Sequence, residues 1–318
     1  MPEIPAPIPH TVDAIYRAYE NRPRYERSYL GASTFGTECD RAFWYGFRLA
    51  AEPEALTGQK LRLFETGHRE EARIIDDLRA AGLTVEETDP ATGRQWEIVA
   101  IGGHMRGHLD GIATGVIEAP KAEHVLECKT HNEKSFRALV KDKVEKSKPG
   151  HYAQMQLYMH HRGIGRALYV AVNKNTDEIY IERIAYDMAY ALRLMARAER
   201  AITAEKAPPR LHDDPSAKAA FACQWCSAFQ ICHAGQFARR NCRTCLSSTP
   251  VIDASDRGAW RCERWNKELN WREQQAGCAS HLYLPSLVPG EQVDASEKDR
   301  TVTYRLANGE TWIDGRAA

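Results

Sequence analysis

Hydrophobic positions along the chain follow two periods. Helical spacing runs through residues 61–81, where Gly82 is a stop signal, and through 187–206, which a proline pair ends. Apolar runs typical of strands occupy 85–87, 96–101, 105–112, 124–130, 167–172 and 179–185. A helix or ordered loop over 136–145, and a helix over 151–161 after the breakers Pro149 and Gly150, separate the later strands. This order predicts an α/β sandwich with a mixed sheet.

The strand over 124–130 carries the most informative polar side chains. Side chains alternate along a strand, so Glu127 and Lys129 share one face while Cys128 points to the other, apolar face. A second carboxylate, Asp110, ends the preceding run and is followed by Gly111, which lets the backbone turn. Two carboxylates and an ammonium can hold a divalent metal and place a cation beside an attacking water. The alternative is an exposed strand edge with ordinary charges.

Length and charge limit the class of protein. A chain of 318 residues can hold one main domain and a smaller appendage. Its 43 basic and 43 acidic residues balance, so any nucleic-acid surface must be local. The stretch 134–148 is locally basic, which usually marks a solvated face but beside a metal site predicts a phosphate track. Its basic residues are Lys134, Arg137, Lys141, Lys143, Lys146 and Lys148, and its acidic ones are Asp142 and Glu145.

The chain contains no ATP-binding phosphate loop, no apolar run of membrane-spanning length and no secretory signal pattern at its N-terminus. We therefore expect a cytoplasmic protein with no membrane partner. Nine cysteines in a reducing compartment are better tested as metal ligands than as disulfides.

One group of cysteines has the spacing C-x2-C-x5-C, formed by Cys223, Cys226 and Cys232. Three thiolates can surround one centre, but a tetrahedral zinc or a cubane cluster takes four protein ligands. Cys39, at the start of an aromatic helical run, is the natural fourth ligand, and His233 is the competing one. A ligand at Cys39 would close a very long loop and stabilise the fold.

A second group of cysteines lies in the C-terminal tail. Cys242 and Cys245 form a knuckle, and Cys262 and Cys278 follow. This set predicts a structural zinc site, with Cys278 and His281 both open as the last ligand. After it, 301–306 and 310–313 predict a β-hairpin that turns near residues 308–309.

These residues together resemble a known superfamily. Its motifs are matched by Asp110, Glu127-x-Lys129, the upstream Gly67-His68-x-x-Glu71 and the downstream Gln154-x-x-x-Tyr158, in the order found in the RecB-type branch of the PD-(D/E)XK nucleases. The first cysteine group with Cys39 is similar to the iron-sulfur subset, which includes CRISPR-associated RecB-like exonucleases and the AddB nuclease subunit. The resemblance covers about residues 33–235. The chain departs from it in having Leu109 where proline is usual and in the tail after residue 240.

The resemblance implies a restriction-endonuclease-like core and a set of roles. Asp110, Glu127 and the Cys128 backbone carbonyl would hold Mg²⁺ or Mn²⁺, with His68, or Glu71 in its place, as the upstream ligand. Lys129 would orient the attacking water. Gln154 and Tyr158 would steady the site or the nucleic-acid strand. The cluster would be a [4Fe-4S] centre held by Cys39, Cys223, Cys226 and Cys232.

The expected organisation is an N-terminal helical arm over 1–60, a nuclease core over 61–207, an iron-sulfur segment over 208–240 and a zinc-binding tail over 241–318. The expected function is a metal-dependent DNA exonuclease acting on single-stranded ends, in phage or bacterial recombination, repair or CRISPR-type processing. Partners would be DNA, a second copy of the chain, or proteins of such a complex. The alternative function is a non-catalytic nucleic-acid-binding assembly module with the same metals.

Overall fold

The computed structural model describes residues 10–24 and 26–315. The arm expected before residue 30 therefore lies partly outside the described residues, as does Tyr25 within it. The helices are α1 His10–Glu20, α2 Asp40–Phe47, α3 Gly58–Ala80, α4 Glu133–Ser147, α5 Pro149–Arg162, α6 Met188–Thr203, α7 Phe229–His233 and α8 Trp271–Ala276. The strands are β1 Leu30–Gly31, β2 Thr84–Glu86, β3 Glu97–Ala100, β4 Met105–His108, β5 Gly111–Thr114, β6 His124–His131, β7 Arg166–Asn173, β8 Ile179–Ala185, β9 Ser248–Pro250, β10 Trp260–Cys262, β11 Lys267–Leu269, β12 Gly290–Ser296, β13 Thr301–Leu306 and β14 Thr311–Asp314.

The central sheet has the strand order β2-β5-β6-β7-β8. Strands β6 and β7 are parallel and the other neighbours are antiparallel, so the prediction of a mixed sheet is confirmed. Helix α3 covers one face, where Ile74 and Ile75 pack with Leu126 and Cys128. Helices α4 and α5 cover the other face, which carries Glu127 and Lys129 because side chains alternate along β6.

The prediction of a single strand over 105–112 is wrong. The strand is interrupted at Leu109 and Asp110, and its two halves belong to different sheets. Strand β4 pairs with β1 and β3, and β5 pairs with β2 and β6. Leu109 is fully buried, and an Asp110 carboxylate oxygen accepts a hydrogen bond from the Cys128 amide at 2.7 Å. Gly111 sits so close to β2 that a Cβ would lie 3.1 Å from the Glu86 carbonyl oxygen. The break therefore fixes Asp110 at the junction of two sheets.

Helix boundaries follow local signals with some differences. Helix α3 begins after Thr57, whose side chain accepts from the Lys60 amide, and ends before Gly82, which has φ +93°. Pro149 and Gly150 are the first residues of α5 rather than breakers ahead of it, because proline is well tolerated in the first helical turn. Helix α6 ends at Thr203, three residues earlier than predicted.

The C-terminal part folds against the body of the protein. Strands β9, β10 and β11 form one small sheet, and β12, β13 and β14 form another, in which the predicted hairpin is confirmed as β13-β14. The exposed strand β12 was not predicted. Trp260 and Cys262 of β10 belong to the same hydrophobic core as Phe47 and Met105, so the core crosses residue 240. The four-part domain division stays a prediction. Among the described residues, no helix combines the length and apolarity needed to cross a membrane.

Candidate active site

The break at Asp110 and the strand β6 bring three predicted site residues together. The Lys129 ammonium forms an ion pair with a Glu127 carboxylate oxygen and lies 4.0 Å from Asp110 Oδ2. Lys129 Nζ also donates to the Cys128 carbonyl oxygen at 3.1 Å. Asp110 uses Oδ2 to accept from the Cys128 amide, which leaves its other carboxylate oxygen for a further partner.

Glu127 is a fully buried carboxylate, with 0% of its side chain exposed. Its Oε1 is in direct contact with the Lys129 ammonium, and its Oε2 has no hydrogen-bond partner within the described part of the chain. Burial raises the pKa of Glu127 to about 7, against the opposing effect of the Lys129 charge. A buried carboxylate in this position gains free energy from any further cation that reaches it.

Glu71 and His68, the two alternatives for the upstream ligand, both lie on α3. Glu71 is partly buried, and its pKa is raised first by burial and next by the negative charge of Asp110, while Lys129 opposes the rise. Glu71 therefore lies within electrostatic reach of the Asp110 and Lys129 charges. His68 is exposed and lies beside Glu71. Which of the two is a ligand stays a prediction.

Gln154 and Tyr158 lie one helical turn apart on α5 and are both buried. Gln154 Nε2 donates to the Tyr158 hydroxyl at 2.9 Å, and that hydroxyl donates to the His108 carbonyl oxygen at 2.7 Å. Burial, followed by the nearby Glu127 charge, raises the pKa of Tyr158, so the phenol stays protonated. The pair therefore holds the end of β4, two residues before Asp110, from inside the protein.

A second polar cluster on the same face of the sheet was missed from the sequence. His131 follows Glu127 and Lys129 on β6, and Tyr169 is paired with Glu127 across β6 and β7. The Tyr169 hydroxyl lies 2.8 Å from His131 Nε2 and 2.9 Å from His151 Nδ1. Because a phenol has one proton, it can donate to one imidazole and must accept from the other. The period of two along β6 could have revealed His131, but Tyr169 and His151 come from distant parts of the chain.

The C-x2-C-x5-C cysteines and Cys39 line one cavity of about 430 Å³, together with His233. Cys39 caps the start of α2, where its sulfur accepts from the Ala42 amide, and Cys232 lies on α7. Burial, followed by the neighbouring thiols Cys39 and Cys232, raises the pKa of Cys223. Cys39 and His233, the two alternatives for the fourth ligand of the first cysteine group, thus line the same cavity.

The C-terminal cysteines Cys242, Cys245, Cys262 and Cys278 line a separate small cavity with His281. In residues 10–24 and 26–315, no group of three or more His, Cys, Asp or Glu side chains is arranged to hold a metal ion as it stands. Each predicted set of cysteine ligands therefore lines one cavity, but the described side chains are not arranged as metal ligands.

Comparisons with known proteins give little similarity. No protein-family model matches the chain, and no curated protein matches it. Among solved structures, a protein designated SSO0001 shares 15% identity over 70% of this chain and 96% of its own, with a TM-score of 0.40. The alkaline exonuclease LHK-Exo from Laribacter hongkongensis shares 15% identity over 59% of this chain and 90% of its own, also at 0.40. The same enzyme in complex with dAMP gives 16% identity and a TM-score of 0.37. Similarity at this level carries no argument about function, which must come from the site.

Proposed function

We propose that the chain is a metal-dependent DNA exonuclease of the PD-(D/E)XK type that hydrolyses phosphodiester bonds at single-stranded ends. The observation that carries the proposal is the buried Glu127 carboxylate, whose Oε1 contacts the Lys129 ammonium, whose Oε2 has no hydrogen-bond partner among the described residues, and which lies beside Asp110. A buried carboxylate with an unpartnered oxygen is costly for a purely structural strand and is suited to binding a cation.

The residues at this position fit a hard divalent cation, because they offer oxygen atoms. Asp110, Glu127 and the Cys128 carbonyl would hold Mg²⁺ or Mn²⁺, with Glu71 favoured over the exposed His68 as the upstream ligand. The bound cation would supply Lewis-acid stabilisation of charge on the phosphoryl group. Asp110 is oriented for this by its hydrogen bond from the Cys128 amide.

Lys129 would orient the attacking water and stabilise the developing negative charge. About a quarter of its side chain is exposed, while Glu127 is buried. Burial lowers the pKa of Lys129, but the charges of Glu127 and Asp110 outweigh burial and raise it, so the side chain is a cation rather than a general base in this state. Its proposed role is electrostatic and positional.

The substrate path would follow the basic stretch on α4, although fewer of its cations are free than the sequence indicates. Arg137 is paired with Glu133 and Glu178, and Lys146 is paired with Asp142. Lys148 donates to Ser135 beside the His131 cluster. Lys134, Lys141 and Lys143, which are exposed and form no ion pair among the described residues, are then the better candidates for phosphate contacts.

A [4Fe-4S] cluster held by Cys39, Cys223, Cys226 and Cys232 is part of the proposal, because the cavity that these thiols line is large and contains all four. We assign this cluster a structural role. The recombination, repair or CRISPR-type context, and assembly with further copies or partners, stay predictions.

The experiment compares wild type with Lys129→Ala on end-labelled single-stranded DNA, with and without Mn²⁺. We expect Lys129→Ala to abolish cleavage, because the site loses the ammonium beside Glu127 that would orient the attacking water and stabilise the developing charge. DNA binding measured by fluorescence anisotropy and the far-UV circular dichroism spectrum should change little. Lys298→Ala, in the exposed turn between β12 and β13, is the control and should keep cleavage. Unchanged cleavage by Lys129→Ala would refute the assignment.

The non-catalytic assembly module is the second candidate. It is favoured by the Lys129 ammonium, which already contacts Glu127 and the Cys128 carbonyl, two of the groups that would hold the catalytic cation. In the same assay, that module would bind DNA without cutting it in either metal condition.

A further inference from the structure

The C-terminal cysteines come from three elements that meet at one point. Cys242 and Cys245 flank a tight turn that Asn241 caps, since its side-chain oxygen accepts from the Arg243 and Thr244 amides at 2.8 and 3.1 Å. Cys262 ends β10, and Cys278 follows α8. These four thiols and His281 line a cavity of about 10 Å³, and Cys242, Cys262 and Cys278 also line an open pocket of about 530 Å³ beside it.

Three buried polar atoms at the same cavity have no hydrogen-bond partner among the residues that the structure describes. They are Ser248 Oγ, Arg264 Nε and His281 Nδ1. The hydroxyl and the guanidinium N–H are donors. The one proton of the Thr244 hydroxyl goes to the Arg239 or Asn241 carbonyl, each at 2.9 Å, so this hydroxyl accepts from His281 Nε2 at 3.2 Å. Buried donors without acceptors are costly, and a neutral thiol is a weak acceptor. Thiolates bound to a metal would satisfy the Ser248 and Arg264 donors.

We propose that Cys242, Cys245, Cys262 and Cys278 form a tetrathiolate zinc site, with Ser248 and Arg264 as hydrogen-bond donors around it and His281, held by Thr244, outside the ligand set. Four thiolates on Zn²⁺ leave a net charge of about −2, which these donors and the Arg264 cation offset. The thiol side chains must rotate to reach ligand geometry, because they do not have it as they stand. This proposal takes Cys278 rather than His281 as the fourth zinc ligand. It does not depend on the nuclease proposal.

The zinc site would also fix a residue that joins the tail to the body. Arg243 lies between the two knuckle cysteines and is 1% exposed. Its guanidinium donates to the Phe47 carbonyl at 3.0 Å, to the Ser28 carbonyl at 2.7 Å and to Gln274 Oε1 at 2.8 Å. Zinc bound by Cys242 and Cys245 would hold the backbone on both sides of Arg243. It would therefore fix the contacts that Arg243 makes with the end of α2 and with α8.

The test measures zinc and iron per chain by elemental analysis of the full-length protein purified without added metal. We expect one zinc per wild-type chain, loss of that zinc in Cys278→Ser, and its retention in His281→Asn, which keeps a side-chain N–H donor. Cys226→Ser is the matched control and should lose iron but keep zinc. Arg243→Lys should keep zinc while its melting temperature falls by roughly 5 °C, because three buried hydrogen bonds are lost.

A second measurement covers the case in which Cys278→Ser does not fold. The wild-type chain is treated with a chelator and reconstituted with Co²⁺, whose absorption bands distinguish four sulfur ligands from three sulfurs and one nitrogen. A tetrathiolate spectrum supports the proposal. Wild type without zinc, a spectrum with one nitrogen ligand, or zinc lost from His281→Asn but kept by Cys278→Ser would overturn it. None of these readouts depends on nuclease activity.

Discussion

At the scale of single residues, the face of the central sheet that carries Glu127 and Lys129 also carries a buried, uncharged imidazole ring. His131 shares this face with Glu127 and Lys129 and is 8% exposed. Burial, followed by the charges of Lys148 and Lys129, lowers the pKa of His131 to about 4 from its usual value near 6.5. Its ring is therefore neutral at pH 7, and its hydrogen bonds to Tyr169 and Ser135 depend on that state.

This depressed pKa predicts a loss of stability in acid. Between the unfolded value near 6.5 and the folded value of about 4, the unfolded chain binds more protons, so stability is complete above pH 6.5 and falls as pH drops through this window. We expect the change from pH 7 to pH 5 to cost wild type about 2 kcal/mol more of unfolding free energy than it costs His131→Gln. Urea denaturation at both pH values measures the difference. His10→Gln, on the exposed helix α1, is the control, and equal losses in wild type and His131→Gln would contradict the assignment.

At the scale of elements, helix α4 carries a local strain beside the proposed DNA path. The helix is interrupted at Lys143, which has φ 61° and ψ 175°, and the freed amide of Val144 donates to Glu182 Oε2 at 2.9 Å. A non-glycine residue in this backbone region costs on the order of 1–3 kcal/mol. The anchoring by Glu182 shows how the fold maintains that conformation.

Substitution of glycine tests this interruption directly. Lys143→Gly should raise the unfolding free energy by about 1 kcal/mol, because relief of the strain exceeds the added freedom of the unfolded chain. Lys141→Gly, two residues earlier in regular helix, removes the same charge and should lower stability by about 1 kcal/mol. Chemical denaturation of both variants gives the comparison, and destabilisation of equal size at the two positions would mean that α4 is continuous.

The sequence predicted those elements whose signal is local. Helix α3 and strand β6 follow from periodicity and a stop signal, and Asp110, Glu127 and Lys129 were predicted to meet because alternation and a turn suffice to place them. The split between β4 and β5 could not be predicted, because it depends on which sheet each half joins. The choice between Glu71 and His68 depends on how α3 is rotated against the sheet, and the pairing of Tyr169 with His131 depends on the register of β6 and β7.

At the scale of the whole molecule, one cavity brings together thiols from distant parts of the chain. Cys39 caps α2, and the other three thiols follow the whole central sheet. Arg197 of α6, the helix that precedes those three thiols, already contacts the region of Cys39 through its ion pair with Asp40 and a hydrogen bond to the Phe35 carbonyl. A cluster there would close a loop long enough to be worth about 5 kcal/mol in the chain-entropy model.

A cluster that closes this loop needs Cys39 as its fourth ligand, so the loss of Cys39 should affect both ends of the loop. Cys39→Ser should lose the brown colour and visible absorbance of the cluster and become sensitive to proteolysis near residues 39 and 223 together, since one bond set holds both. His233→Ala is the matched variant at the same cavity and should keep colour, iron content and protease resistance. Anaerobic purification followed by absorption spectra and limited proteolysis makes the comparison. A colourless His233→Ala beside a brown Cys39→Ser would transfer the fourth ligand to His233 and leave α2 outside the closed loop.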